Sequence, residues 1–163
     1  MIKCFAPLID NRCKILILGS MPGVKSLEEQ QYYAHPRNYF WRILYTLFDE
    51  KYETDYKKRK AFILSHHIAL WDVLKNCERE GSLDTAIREE EVNDFDFLFK
   101  TYPNIKFVFF NGSKGYETFR KKIGFKYDGI TFEKLPSTSP AHAIKFESKL
   151  KSWRTIFHCS SMN

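Results

Sequence analysis

The segment Lys14-Ile15-Leu16-Ile17-Leu18-Gly19-Ser20-Met21-Pro22-Gly23 decides the fold of this chain. Its first half, residues 14–18, predicts a buried strand, because a short and continuously apolar run is typical of central parallel strands. The glycine and proline that follow predict a loop at the carboxyl end of that strand. In open α/β sheets this edge is where ligands bind. The loop at residues 19–23 is therefore the first candidate site.

A second segment, residues 32–41, places aromatic rings beside polar groups. It reads Tyr-Tyr-Ala-His-Pro-Arg-Asn-Tyr-Phe-Trp. Planar stacking groups next to amide and cationic donors suit a nucleobase and its phosphate better than a sugar or a lipid. The segment therefore predicts contact with a nucleic acid.

Strand and helix patterns alternate along the chain. Further strands are predicted at 68–74 (a short extended segment is the alternative), 106–110 and 131–135, and helices at 38–48, 55–66, 113–122 and 146–158. This alternation predicts one domain, residues 1–163, folded as a three-layer α/β/α sandwich with a central, mostly parallel four-stranded sheet. Three strands end in polar loops, at Gly19-Ser20, Asn111-Gly112 and Ser137-Thr138-Ser139. Because carboxyl ends of parallel strands share one edge, these loops predict a single active site.

The composition sets further bounds. A net charge of +6 is compatible with a polyanionic partner, although charge alone does not identify one. No run is long enough to span a membrane and no signal-peptide pattern is present, so we expect a cytoplasmic protein without a membrane partner. The four cysteines are scattered without a C-x-x-C pair, so we expect reduced thiols, no metal and no cofactor.

Three blocks in this order resemble the uracil-DNA glycosylase superfamily, and most closely its hypoxanthine-DNA (deoxyinosine) glycosylase branch. They are Gly19–Gly23 with His35–Trp41, Ala69–Leu74 with Gly81–Asp84, and Leu135–Ala141. Gly-x-x-Pro-Gly alone is weak, so the ordered set carries the resemblance. It implies a monomeric enzyme of base-excision repair that takes a deaminated base, chiefly hypoxanthine, out of DNA and hydrolyses its N-glycosidic bond. No lysine stands within the motifs as a Schiff-base nucleophile, so the expected enzyme is monofunctional and leaves the strand uncut.

The resemblance makes Asn38 the catalytic residue. Its amide can both donate and accept, so it can orient a water molecule or bind a base edge. The alternative role is that of a helix N-cap. Met21 stands where other branches place Asp or Asn, and it has no proton chemistry, which argues against the uracil-specific branch. The N–H groups from Ser20 to Gly23 are then expected to line the pocket.

Two further sets of site residues are predicted. The base-binding set is Gly19, Ser20, Met21, Pro22, Tyr33, Phe40 and Asn111. Within it, Tyr33 lies where relatives place the stacking ring, Tyr32 and Phe40 are its rivals, and Asn111 is either a base contact or an ordinary Asn-Gly turn.

The DNA-binding set is His35, Arg37, Ser137, Thr138, Ser139, Pro140, Ala141 and His142. The Ser and Thr hydroxyls are suitable phosphate donors, although an ordinary Ser/Thr/Pro turn is the alternative. Relatives place an apolar wedge about where Ala141 stands. Alanine is too small to fill a vacated base stack, so backbone pinching or His142 would have to serve. Trp71 and Asp72 belong to the second block of the resemblance; Asp72 is either polar lining of the site or a loop anchor, and Trp71 receives no role.

Three other functions remain as alternatives. The first is a uracil or mismatch-specific glycosylase, which Met21 disfavours. The second is a non-catalytic DNA-binding module on the same fold, which the presence of Asn38 disfavours. The third is a nucleotide hydrolase, which the chain disfavours because it has neither Gly-x-x-x-x-Gly-Lys-Ser/Thr nor an evident carboxylate cluster for Mg²⁺.

Overall fold

A computed structural model describes residues 1–162, so the predicted domain end at residue 163 lies outside the described residues. The strands are β1 (Ile2–Lys3), β2 (Ile15–Gly19), β3 (Ile68–Asp72), β4 (Leu74–Glu78), β5 (Arg88–Val92), β6 (Phe107–Asn111) and β7 (Thr131–Leu135). The helices are α1 (Val24–Glu29), α2 (Phe40–Leu47), α3 (Tyr56–Ser65), α4 (Phe95–Thr101), α5 (Ser113–Lys122) and α6 (Phe146–Ser160). A single 3₁₀ turn covers Asp84–Ala86. Among residues 1–162, no helix has both the length and the apolar character needed to cross a bilayer.

The central sheet confirms the predicted architecture. Its strand order is β3-β2-β6-β7, and each neighbouring pair is parallel. Gly19 at the end of β2 lies opposite Asp72 at the end of β3, and Asn111 at the end of β6 lies opposite Leu135 at the end of β7. The carboxyl ends of all four strands therefore meet at one edge, as the polar loops indicated.

Helices cover both faces of this sheet because side chains alternate along each strand. Ile15 and Ile17 point into a core shared with α2, α3 and α6. Leu16 and Leu18 point into a second core, which includes Phe95 of α4 and residues of α5. The β2 strand is fully buried on both sides, which explains its unbroken apolar sequence.

A small antiparallel sheet, in the order β1-β4-β5, was not predicted. The predicted apolar stretch at 68–74 divides at Val73, whose N–H donates to Gly19 O, and the chain then continues into β4. β1 has two residues and β5 reads Arg-Glu-Glu-Glu-Val, so neither carries an apolar signal. Helices α1, with six residues, and α4, with seven, are also short and were not predicted.

Candidate active site

A cavity of about 310 Å³ lies at the carboxyl edge of the central sheet. Ligand pockets in proteins typically measure about 300–1,000 Å³, so this one suits a single small planar group. The predicted residues that line it are Gly19, Ser20, Met21, Pro22, Tyr33, His35, Asn38, Asn111, Ser137, Thr138, Ser139, Pro140 and Ala141. Loops from three separate strands thus form one site, as expected.

The loop after β2 forms one wall of the cavity, and its first residue, Gly19, packs tightly against Asp72. A Cβ atom added to Gly19 would lie 2.6 Å from Asp72 Oδ1, so only glycine fits there. Ser20 Oγ donates to Asp84 Oδ1 at 2.5 Å, which ties this loop to the 3₁₀ turn. Met21 lines the cavity and also packs against Leu74 of β4. Residue 21 therefore supplies an apolar support for the small sheet and no proton chemistry.

Asn38 uses its two amide atoms differently. Its Oδ1 accepts the N–H of Phe40, the first residue of α2, at 2.9 Å, whereas the N-cap position itself is Tyr39. Its backbone N–H donates to His35 O and shapes the preceding turn. Its Nδ2 makes no hydrogen bond to any part of the chain in residues 1–162, and the residue lines the cavity. The predicted N-cap is thus one residue off, and the Oδ1 bond to the start of α2 does not compete with a contact of Nδ2 in the cavity, because the two involve opposite ends of the amide.

Tyr33 and Phe40 form a stack at the cavity. Their ring centroids are 3.9 Å apart with an interplanar angle of 16°. Phe40 is 0 % exposed and does not line the cavity, so its prediction as a base-binding ring is corrected: it supports Tyr33 from behind. Tyr33 holds a left-handed backbone with φ of 54°, which is uncommon for a non-glycine residue. Burial and the nearby Asp72 carboxylate raise the pKa of the Tyr33 hydroxyl, so it stays protonated.

The Asn111 side chain clamps the loop after β7. Its Nδ2 donates to Thr138 Oγ1, and its Oδ1 accepts the Thr138 N–H, each at 2.9 Å. Asn111 lines the cavity, and since its Nδ2 uses only one of two N–H groups on Thr138, the other stays available as a donor beside the clamp. The residue therefore has a positioning role that neither the base-contact nor the turn interpretation included.

The Ser137–Ser139 loop is held from several sides. Thr138 is fully buried, and its carbonyl accepts the N–H of Tyr39 at the start of α2. The Ser139 carbonyl accepts from Lys149 Nζ, a buried ammonium on α6 whose pKa burial lowers. Ser137 and Ser139 hydroxyl oxygens accept backbone N–H groups of their own loop, which leaves their O–H groups as donors. The loop is thus rigid and presents hydroxyls at the cavity rim.

The remaining predicted DNA contacts lie at the surface. His35 lines the cavity, and its Nδ1 accepts the N–H of Arg37. Arg37 and His142 are exposed but do not line the cavity, so any contact with DNA would be outside it. Ala141 is exposed at the rim. Helix α6, whose N-cap position is Lys145, begins shortly after Ala141 and His142.

Several cavity residues were not among the predicted site residues, and the most notable is Asp72, for which polar lining and loop anchor had been left open. The unassigned lining residues include Phe5, Ser26, Asp72, Ser82, Leu83 and Asp84. Asp72 is only 4 % exposed, and its Oδ2 is buried without a hydrogen-bond partner. Burial and the charge of Asp84 raise the pKa of Asp72 to about 7, against a smaller lowering by Arg79. The sequence did contain a signal for Asp72, since this acid interrupts an apolar run at the ligand edge. For Phe5 the sequence contained no such signal.

Fold and site together define an α/β protein with a cavity at the carboxyl edge of its parallel sheet, lined by an aromatic ring, an uncommitted amide nitrogen and a loop rich in hydroxyls. The profile of the uracil DNA glycosylase superfamily matches residues 6–157, and this chain belongs to that superfamily. Two relatives named hypoxanthine DNA glycosylase are similar to it. The one from Methanosarcina barkeri is 39 % identical and the one from Methanosarcina acetivorans 35 %, each over 94 % of this chain and 96 % of the relative.

A solved structure agrees with this assignment. A Methanosarcina acetivorans protein determined by NMR in solution, and described as a candidate uracil DNA glycosylase, superimposes with a TM-score of 0.85 at 34 % identity. The match covers 98 % of both chains.

Proposed function

We propose that this protein is a monofunctional DNA glycosylase of base-excision repair that hydrolyses the N-glycosidic bond of deaminated bases in DNA, chiefly hypoxanthine. Membership of the superfamily and the two relatives named hypoxanthine DNA glycosylase support the reaction and the base. One structural observation carries the catalytic assignment. Asn38 commits Oδ1 to helix α2 and keeps Nδ2 uncommitted at a cavity of suitable size for a base.

The geometry suggests how each part contributes. A base extruded from the duplex stacks on Tyr33, which Phe40 holds in place. Asn38 Nδ2 then donates to the base, or orients the attacking water, as the electron pair of the glycosidic bond moves onto the base. The Ser137–Ser139 loop donates hydroxyl hydrogen bonds to the phosphates beside the flipped nucleotide. No step requires a covalent bond to the protein, so the product is an abasic site in an uncut strand.

The first test is base release from labelled duplexes that each hold one hypoxanthine, uracil, xanthine or normal base, followed by alkaline cleavage. Hypoxanthine release by the wild type supports the proposal. Release of uracil without hypoxanthine supports the uracil-type alternative instead. Intact DNA binding with no release would favour the non-catalytic module. A strand nicked without alkali or heat would contradict monofunctional action.

The second test separates the two roles of Asn38. Asn38→Asp keeps an oxygen for the bond to the start of α2 but replaces the Nδ2 donor, so stability is retained and single-turnover release falls by about 10²-fold or more. Asn38→Ala also loses this bond, which costs about 1 kcal/mol of stability. Asn104→Ala, which removes an exposed amide away from the cavity, is the matched control and keeps full activity. Equal activity of Asn38→Asp and wild type would remove Asn38 from catalysis.

We also propose that the enzyme acts as a cytoplasmic monomer. Residues of one chain form the whole cavity, which suits a monomer. The four cysteines of the chain are free thiols, which suits a reducing compartment. Sedimentation at micromolar concentration, with and without a substrate duplex, tests the monomeric state.

A further inference from the structure

Asp72 is a buried acid in the cavity wall that the proposed mechanism does not use. It ends β3 opposite Gly19, and the side chain is packed so closely against Gly19 that no Cβ would fit between them. Neither carboxyl oxygen accepts a hydrogen bond in residues 1–162, and Oδ2 is entirely shielded from solvent. An ionised carboxylate without donors is costly to bury, so this site favours the neutral acid.

The surrounding charges point the same way. Asp84, held by Ser20, is a second carboxylate that opposes ionisation of Asp72. Arg79 is the cation that favours ionisation; its Nε and Nη2 donate to the carbonyls of Gly81 and Pro22, and its Nη1 is buried without a hydrogen-bond partner in residues 1–162. It forms no salt bridge with Asp72 within residues 1–162. The other titratable groups near Asp72 are Tyr32, Tyr33 and Cys4, and each has its own pKa raised by burial and by the Asp72 charge.

Asp72 lines the cavity, and since only Oδ2 is shielded from solvent, Oδ1 is the oxygen through which the neutral acid can present its proton to a bound group. A 6-oxopurine offers acceptors at N7 and O6, and negative charge grows on these atoms as the glycosidic bond breaks. A carboxylate would repel that charge, whereas an acid stabilises it.

We propose that Asp72 acts in its neutral form as the general acid that protonates the departing purine. This inference rests on the proposed function. The C1′–N9 bond breaks, and its electron pair passes into the purine ring. The Asp72 proton moves to an acceptor atom of the base, so that neutral hypoxanthine leaves. Water adds to C1′ and releases one proton, which returns to Asp72 through solvent.

The test is the pH dependence of single-turnover release from a hypoxanthine duplex. Wild type is expected to lose activity about tenfold per pH unit above pH 7, because only the neutral acid works. Asp72→Asn keeps the shape and a donor but cannot give up a proton. It is therefore expected to be at least tenfold slower at pH 6 and flat from pH 6 to 8.5. Asp128→Asn, an exposed carboxyl elsewhere, should keep the wild-type profile.

Two results would overturn the inference. One is an Asp72→Asn profile that runs parallel to wild type while hypoxanthine is still released, which leaves the proposed function intact. The other comes from carbon-13 spectra of protein labelled at its aspartate carboxyls, with Asp72→Asn identifying the resonance. An Asp72 signal that is ionised at pH 6 contradicts the neutral acid whether or not the enzyme releases hypoxanthine. A signal that titrates near pH 7 supports it.

Discussion

The pair of hydrogen bonds between Asn111 and Thr138 gives the sharpest test of how the site is held together. Asn111→Ala removes both bonds and leaves the fully buried Thr138 N–H without a partner. Each bond contributes about 1 kcal/mol, and an unpaired buried donor adds about 1–3 kcal/mol. We therefore expect a loss of about 3 kcal/mol in the free energy of unfolding.

Thr138→Val isolates one of the two bonds. It removes Oγ1 but keeps the backbone N–H bonded to Asn111 Oδ1, so the expected loss is about 1 kcal/mol. Because the two residues act on the same contact, the double variant should lose less than the sum of the single losses, by about 0.5 kcal/mol or more. Asn104→Ala is the control: it removes one exposed hydrogen bond, to Asn11 O, and should cost no more than about 1 kcal/mol.

Urea unfolding followed by circular dichroism measures all four variants, and a constant slope with denaturant keeps the comparison valid. A loss below about 1 kcal/mol for Asn111→Ala would refute the clamp, since that value fits a single exposed hydrogen bond. Strictly additive losses would likewise show that the two side chains act independently. Since Tyr39 N–H donates to Thr138 O, Asn111→Ala should also reduce activity through the start of α2.

Three other substitutions probe the cavity. Asp72→Asn should raise the melting temperature at pH 8 but not at pH 4. The pKa of Asp72 is about 7 in the folded protein and 3.8 ordinarily, so the wild type loses up to about 4 kcal/mol of stability as the pH rises from the lower value to the higher. Equal shifts in melting temperature at both pH values would contradict this expectation. Gly19→Ala should destabilise by about 1–3 kcal/mol, and more than Gly23→Ala, whose Cβ would lie 3.3 Å from Ser82 Oγ; the reverse order in urea unfolding would exclude the close contact. Tyr33→Leu should lower kcat/KM by about 10–100-fold, because it loses stacking worth about 1–3 kcal/mol. Tyr33→Phe keeps the ring and should stay near the wild-type value. Similar kcat/KM values for the two variants would show that the ring does not bind the base.

The central sheet was predictable because its strands carry strong apolar signals. Residues 15–18 and 107–110 are continuous apolar runs, and the polar residues that follow them identify the ligand edge. The antiparallel sheet was not predictable, since β5 is dominated by charge. Its Glu90 is stabilised by Lys114 at 2.6 Å, a contact between distant segments that no local pattern encodes.

Within the site, residue types were easier to predict than orientations. The sequence left Asn38 between capping and catalysis because it cannot show that the two amide atoms face different partners. It also could not separate Tyr33 from Phe40, since only packing decides which ring of a stack faces the cavity. Asp72 was visible as an acid at a strand end, but its ionisation depends on burial and on Asp84, which are properties of the folded chain.

The position of Met21 limits how the cavity can be redesigned. Its side chain is 7 % exposed and packs with Leu74, Cys77 and Ile87, which join the small sheet to the loop after β2. A carboxylate at this position would place a charge in an apolar cluster and weaken that junction at the same time. Introducing an acid at residue 21 therefore requires coordinated changes in β4 and in the segment before β5.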